Sequence, residues 1–141
     1  MATVEHAIVD RLKANAAVNA LVSTRIAPWE QTQSMPLPHL SYLRVSTNRE
    51  HIMAGSAGFA HAMIQIDCWA ATYSAAKEVA EAVRKTLDGY RGTTQGHYIG
   101  VIQNTIDRDV PQRLSTGSER SLFRVMQEYR VAFRETAAIV N

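Results

Sequence analysis

Apolar residues change their period halfway along residues 62–89, and no other stretch constrains the fold as strongly. As far as Trp69, apolar positions alternate with positions of mixed character, which is the period of a β-strand. From Tyr73 the spacing becomes helical, with small apolar residues on one stripe and charged residues on the other. Thr72 or Ser74 can cap the start of this helix and Gly89 can end it. The stretch predicts a strand and a helix that covers a sheet, with a dry strand face of Ala62, Ile64, Ile66 and Cys68.

Weaker periodic signals place the other elements. Helical spacing predicts one helix over residues 3–15 and a short one ending at Val22. Alternation predicts strands over residues 39–46, 97–106 and 122–135, with Ile99 and Val101 on the same face of the second of these. Residues 25–38 hold three of the four prolines, which favours an extended arm with little regular pairing. The fold predicted is α+β: a four-stranded, mainly antiparallel sheet with two to three helices packed on one face and long inter-strand loops.

The length of 141 residues fits a single domain over residues 1–141, and we expect a mobile C-terminal tail at about 135–141. Two polar segments, residues 47–60 and 110–121, are predicted as long connections. In the first of them Ile52, Met53 and Phe59 are apolar. Either the flanking strands extend to a tip near Gly55 and Gly58, or the segment becomes ordered only against a neighbouring molecule.

The charge is modest and unevenly distributed. The net charge is +2, all of the excess lies from Arg108 onward, and twelve of the fifteen basic residues are arginine. Arginine favours bidentate pairing with carboxylates or phosphates, but this net charge is too small to indicate DNA binding by itself. The N-terminal segment is charged and amphipathic, without an apolar run of signal-peptide or membrane-spanning length. We therefore expect synthesis in a reducing cytoplasm and no membrane partner.

Residues capable of chemistry are present, but they do not form a recognisable catalytic or metal-binding motif. Cys68 is the only cysteine and lies among apolar residues, so a core side chain is favoured over a reactive thiol. The five histidines are scattered and do not have the spacing of metal ligands. Asp67 could act as a general base in a pocket, although a salt bridge to an arginine is the favoured interpretation. Trp29 either closes over the core or anchors a partner.

The last predicted strand carries a row of charged residues, Arg124, Glu128, Arg130 and Arg134. One interpretation is a solvated sheet face with cross-strand ion pairs. The other requires several copies of the chain in a ring, with this face toward the bore. The small charge per chain would then be multiplied, giving a weakly basic lumen.

Three features along the chain point to a family. They are the arm at residues 25–38, with the pattern R-hydrophobe-x-P…Q…hydrophobe-P; the segment IQIDCWA followed by Tyr73 and an alanine-rich helix; and the acidic-basic stretch at residues 107–109. In this order they resemble the tail completion or tail terminator proteins of long-tailed bacteriophages and prophages. The resemblance covers nearly the whole chain, and the alanine-rich C-terminal tail departs from it.

The resemblance implies a structural virion protein and not an enzyme, with no catalytic residues and no cofactor. It implies a homohexameric ring at the head-proximal end of the tail tube, made in the host cytoplasm, which stops tail elongation and joins the tail to the head connector. The implied partners are further copies of the chain, the major tail tube protein, the head completion or stopper protein, and double-stranded DNA that passes through the lumen without sequence-specific contact. The candidate interface residues are Trp29, Arg49, Ile52, Met53, Phe59, Arg113, Arg124, Glu128, Arg130 and Arg134.

Two other classes of function are compatible with the residues. A non-phage binding module for a small ligand or protein would show a closed apolar pocket between helix and sheet. A small enzyme would need a cleft around Asp67, with Trp69 and a histidine close to it.

Overall fold

A computed structural model describes residues 3–29, 35–53, 55–94, 96–110 and 122–135, except for the side chains of residues 56 and 57. Within these ranges the chain forms three helices and six strands. Their order is α1 (Val4–Ala14), α2 (Ala16–Val22), β1 (Ile26–Pro28), β2 (His39–Ile52), β3 (Gly55–Ala70), α3 (Tyr73–Leu87), β4 (Gly92–Thr94), β5 (His97–Val110) and β6 (Phe123–Arg134).

The strands form one curled, mixed sheet in the order β1-β2-β3-β6-β5-β4. Its four central strands pair antiparallel, as the sequence predicts, whereas β1 is parallel to β2. The predicted count of four strands is wrong, because a three-residue strand is added at each edge. β1 forms within the proline-rich arm, where the Leu40 N–H donates to the Arg25 carbonyl at 2.9 Å. β4 forms within the glycine-containing turn that follows α3.

The strand–helix unit of β3 and α3 has the predicted geometry. Thr72 caps the helix by accepting a hydrogen bond from the Ala75 N–H at 3.1 Å. Gly89 follows the helix with a φ of +83°, the left-handed conformation in which a side chain would be strained. The dry strand face predicted from the sequence is fully buried and forms one hydrophobic core with residues of all three helices. The helices therefore cover one face of the sheet.

Gln127 interrupts the apolar alternation of β6 and is completely buried on the helix-covered face. Its side-chain amide donates to the Ala80 carbonyl of α3 at 2.9 Å, and its oxygen accepts from the Tyr129 hydroxyl at 2.9 Å. A buried polar group costs little when it is hydrogen-bonded. Gln127 thus ties β6 to α3 without breaking the core.

Alternation fails in β5, because a bulge shifts its register against β6 between Ile99 and Val101. The shift places both Ile99 and Ile102 in the core, while Val101 is only half-buried. The predicted shared face of Ile99 and Val101 is therefore wrong. A bulge inserts one residue into a strand and exchanges the faces of those that follow.

The first predicted loop is largely a strand hairpin. β2 continues to Ile52 and β3 begins at Gly55, so the alternative in which the strands extend to a tip is the one observed. Gly58 has a φ of +79°, and its carbonyl accepts the N–H of Glu135 at 2.9 Å. A Cβ at this glycine would lie 3.3 Å from the Glu135 carbonyl oxygen. The second predicted loop, residues 110–121, and the predicted tail, residues 135–141, lie outside the described residues except for Val110 and Glu135.

Candidate assembly surface

One face of the sheet points away from the helices, and we call it the open face. In β3 and β6 it consists of the residues that alternate with the buried core positions and lie opposite one another in the strand register. Its residues in these two strands are Phe59, His61, Met63, Gln65, Asp67, Trp69, Arg124, Met126, Glu128, Arg130, Ala132 and Arg134.

At one end of the open face Asp67 is completely buried and ion-paired with Arg124. The Arg124 Nε lies 3.1 Å from the Asp67 Oδ1, and 19% of the arginine side chain is exposed. The side-chain amide of Gln65 donates to both carboxylate oxygens, at 3.2 and 3.0 Å. The salt bridge favoured by the sequence is confirmed. Most of Arg124 is engaged inside the subunit, and its role as an interface residue stays a prediction.

Trp69 extends this cluster across the sheet. The Arg124 guanidinium lies 5.1 Å from the centre of its ring, a cation–π distance. The indole Nε1 donates to the Ser41 hydroxyl at 3.0 Å, and the ring stacks on His39. Strands β2, β3 and β6 are thus joined by one polar network. We call it the Asp67 network: Asp67, Arg124, Gln65, Trp69, Ser41 and His39.

At the opposite end Arg134 lies between two aromatic rings. Its guanidinium is 5.2 Å from the ring of Phe59 and 5.3 Å from that of Tyr98. The two rings are 41% and 46% exposed. Among the described residues no carboxylate lies within ion-pair distance of Arg134. This exposed group, which we call the Arg134 sandwich, brings together two predicted interface residues and adds Tyr98.

The two charged residues between these ends differ in exposure. Arg130 is exposed and makes no ion pair with any described residue, whereas Glu128 is half-buried. The arginine row is therefore not uniform. Arg130 and Arg134, its second half, are the members of the row that are exposed.

The tip of the β2–β3 hairpin exposes apolar side chains. Ile52 is 60% exposed and Met53 fully so. Behind the tip, Arg49 forms an ion pair with Glu135, and the hydrogen bond to this carboxylate raises the pKa of the guanidinium above its ordinary value. This pair ties the hairpin to the end of β6.

Trp29 follows β1 and is 50% exposed, so it does not close over the core. It lines an open cleft of about 550 Å³ together with Tyr42, Leu43 and Arg44 of β2 and three residues of the N-terminal region. On the helix side of the cleft, Arg44 is ion-paired with Glu5. The role of Trp29 as a partner anchor stays a prediction.

Comparison with known proteins assigns the fold to a family. The family model "Tail completion protein gp17" matches residues 6–134. The chain belongs to the tail completion protein gp17 family. It is accordingly a structural protein of a phage-like tail, as the resemblance implies. A solved structure described as the virion of a native gene transfer agent (GTA) particle contains a similar chain, with a TM-score of 0.71 and 19% identity over 91% of this chain and 92% of that chain. No curated protein matches.

In this tail completion protein, the groups considered for chemistry are occupied or buried. Asp67 is completely buried within its network, which gives a substrate no access to the carboxylate. Cys68 is also completely buried, and burial raises the pKa of its thiol, which disfavours the reactive thiolate. Between α1 and the sheet lies a void of about 10 Å³, room for roughly one water. That void is too small to be the ligand pocket of a binding module.

The described residues include no cluster of metal-ligating side chains and no helix long and apolar enough to cross a membrane. Arg113, the remaining candidate interface residue, lies outside the described residues. Sequence reasoning missed two exposed apolar residues of β5, Tyr98 and Ile106, each 46% exposed. In the sequence, Ile106 stands out as an apolar residue directly before the charged stretch at residues 107–109. The face of the strand on which it lies could not be predicted, because bulges in β5 interrupt the alternation.

Proposed function

We propose that this tail completion protein is a ring-forming subunit, a homohexamer at the head-proximal end of the tail tube. In this role it stops tail elongation and joins the tail to the head completion or stopper protein of the connector. The observation that carries the proposal is the match of the family model to residues 6–134, which spans every described element apart from the first residues of α1.

The distribution of charge supports a ring. Arg130 and Arg134 are exposed on the open face of each copy, and neither makes an ion pair with a described residue. Several copies around an axis would place these arginines in repeated rows. Such rows attract phosphates from a distance, which suits double-stranded DNA that moves through the lumen without sequence-specific contact.

The exposed hairpin supports contact with a second protein of the tail. A fully exposed Met53 next to Ile52 is the kind of apolar projection that is favourable when a partner covers it. We infer that the hairpin tip contacts the tail tube protein or the connector protein. The subunit is made in the host cytoplasm and is then incorporated into the virion.

Deletion of the gene in a particle-producing strain tests this function. Electron micrographs should then show tail tubes of irregular length that carry no heads. Purified protein added to the lysate should restore a uniform tail length and head attachment. Tails of normal length that attach heads in the absence of the protein would overturn the proposal.

A further inference from the structure

The two edges of the sheet are stepped, because each carries a strand that covers only part of its neighbour. β1 pairs with residues 40–42 of the 14-residue strand β2. β4 pairs with residues 97–99 of β5, which is also 14 residues long. In the part of the chain that the structure describes, no strand pairs with the outer side of residues 43–52 or of residues 105–110. Among the described residues, each edge therefore has one protruding step and one recess.

The strand register shows that the steps and recesses match. Pro28 of β1 aligns with Tyr42, Ile66, Gln127 and finally Asp107 across the sheet. The step formed by β1 is thus level with the recess along β5 on the opposite edge.

The second step behaves in the same way. Gly92 of β4 aligns with Ile99, Phe133, Ala60 and finally Arg49. The step formed by β4 is therefore level with the recess along β2. A partner that offers both complementary profiles at once is another copy of the same chain.

Exposed apolar residues lie at neighbouring levels on the two edges. Leu43 aligns with Gln65, Glu128 and Ile106 across the sheet, and Trp29 directly follows Pro28, which pairs with Tyr42 next to Leu43. Trp29 is 50% exposed and Ile106 is 46% exposed. A large half-exposed tryptophan is the kind of residue that dominates the binding energy of protein interfaces.

Strand directions agree with a cyclic arrangement. β2 and β5 are separated by three antiparallel pairings, so they run in opposite directions, and β1 runs with β2. Rotation about an axis roughly along the strands keeps these directions, so β1 of one copy meets β5 of the next in the antiparallel sense. The Ile26 N–H is already bonded to the Thr24 carbonyl at 2.8 Å, and Pro28 has no N–H. Strand β1 therefore offers carbonyl acceptors to N–H donors of β5.

We propose that copies of this chain join head to tail through these edges: β1 of one copy fills the recess along residues 105–110 of the next, with Trp29 against Ile106, and β4 fills the recess along residues 43–52. This interface rests on the proposed ring. It is heterologous, so each copy uses both edges and the contact closes only when the rotation completes a ring.

Cross-linking between paired cysteines tests the interface. The double variant Trp29→Cys/Ile106→Cys is incubated with a short thiol–thiol cross-linker, at a protein concentration at which the subunits assemble. We expect denaturing gels to show a ladder of multiples of the subunit mass, since every copy carries both reactive positions. A symmetric contact would stop at dimers.

Two controls define the result. Trp29→Cys/Thr93→Cys places both thiols on protruding steps at different levels, and it should give no ladder. The wild-type chain should give none either, because Cys68 is buried. Cross-links in the off-level pair equal to those in the matched pair would overturn the interface.

The native mass of the same samples separates this proposal from the proposed function. As a control, both new thiols of the double variant should react with a small maleimide in dilute solution. If they do, a ring that forms without the matched ladder would overturn the edge interface but not the proposed ring. Wild-type protein that stays monomeric both alone and on tail tubes would overturn both. Ile106→Asp should abolish the ring, whereas Ser74→Asp, which adds the same charge on the exposed first turn of α3, should retain it.

Discussion

The two ends of the open face use the same pair of groups, an arginine and an aromatic ring, for different purposes. In the Asp67 network the guanidinium of Arg124 lies over Trp69, and a buried carboxylate neutralises it. In the Arg134 sandwich the guanidinium lies between Phe59 and Tyr98, with no carboxylate partner among the described residues. Arg124 stabilises the fold because the buried carboxylate of Asp67 is paired with it. The arginine that lacks one keeps its charge available for a partner.

Removing the buried arginine should have the largest effect. Arg124→Met leaves the carboxylate of Asp67 buried and uncompensated, so we expect a loss of about 3–5 kcal/mol in the free energy of unfolding. Urea denaturation of the two proteins measures it. The double variant Asp67→Asn/Arg124→Met, which removes both charges, should recover most of the loss. If the double variant is no more stable than Arg124→Met, the loss does not come from the unpaired charge.

The same substitution at the exposed end should leave the fold intact. Arg134→Met removes a surface contact, and surface substitutions usually change stability by less than about 0.5 kcal/mol. We expect instead a loss of DNA passage or of assembly, read as fewer DNA-filled particles with tails. A strongly destabilised Arg134→Met would contradict the division between the two ends.

Removing the hydrogen bond from Trp69 to Ser41 shows how much this bond of the Asp67 network contributes to stability. Trp69→Phe keeps a ring beneath Arg124 but removes the indole N–H, so we expect a loss of about 1 kcal/mol. Phe59→Leu, which trims a ring of the exposed sandwich, is the matched control and should cost less. Thermal denaturation of both variants gives the comparison, and equal losses would contradict it.

A third arginine–aromatic contact lies between these extremes. Arg44 is 5.6 Å from the ring of Phe133 and is ion-paired with Glu5, whose side chain is 15% exposed. Burial opposes the ionisation of Glu5, but the Thr3 hydroxyl and the Arg44 guanidinium outweigh it, and the pKa lies below its ordinary value of 4.5.

A carboxyl whose pKa is lowered by folding contributes stability above its unfolded pKa and loses it as the pH falls through the folded value. Glu5→Gln should therefore be less stable than the wild type at pH 7, and the difference should shrink in acid below pH 4.5. Denaturation curves at a series of pH values measure the difference. A gap that is the same at both ends of the series would exclude the ion pair as its cause.

The sequence predicts the centre of the molecule better than its edges. β3 and α3 are long and strongly periodic, so their faces follow from spacing. Residue type predicts the end of α3 at Gly89 and narrows its cap to Thr72 or Ser74. β1 and β4 have three residues each, too few to show a period, and they form only because a neighbouring strand offers hydrogen bonds. The bulge beside Gly100 has no periodic signature and reverses the assignment of Val101.

The assembly surface was predictable only in part. Phe59 and Arg134 are candidates from their sequence context, yet they are 75 positions apart in the chain, and their contact depends on the register of β3 and β6. Arg124 looks equivalent to Arg134 in the alternating sequence of β6. Only the burial of Asp67 opposite it distinguishes the two, and burial depends on tertiary packing.

The proposed ring is tested by the native mass of the purified protein at high concentration, measured with and without isolated tail tubes. We expect six subunit masses, either in solution or only on the tubes. A protein that remains a monomer or a dimer and does not bind the tubes would contradict it.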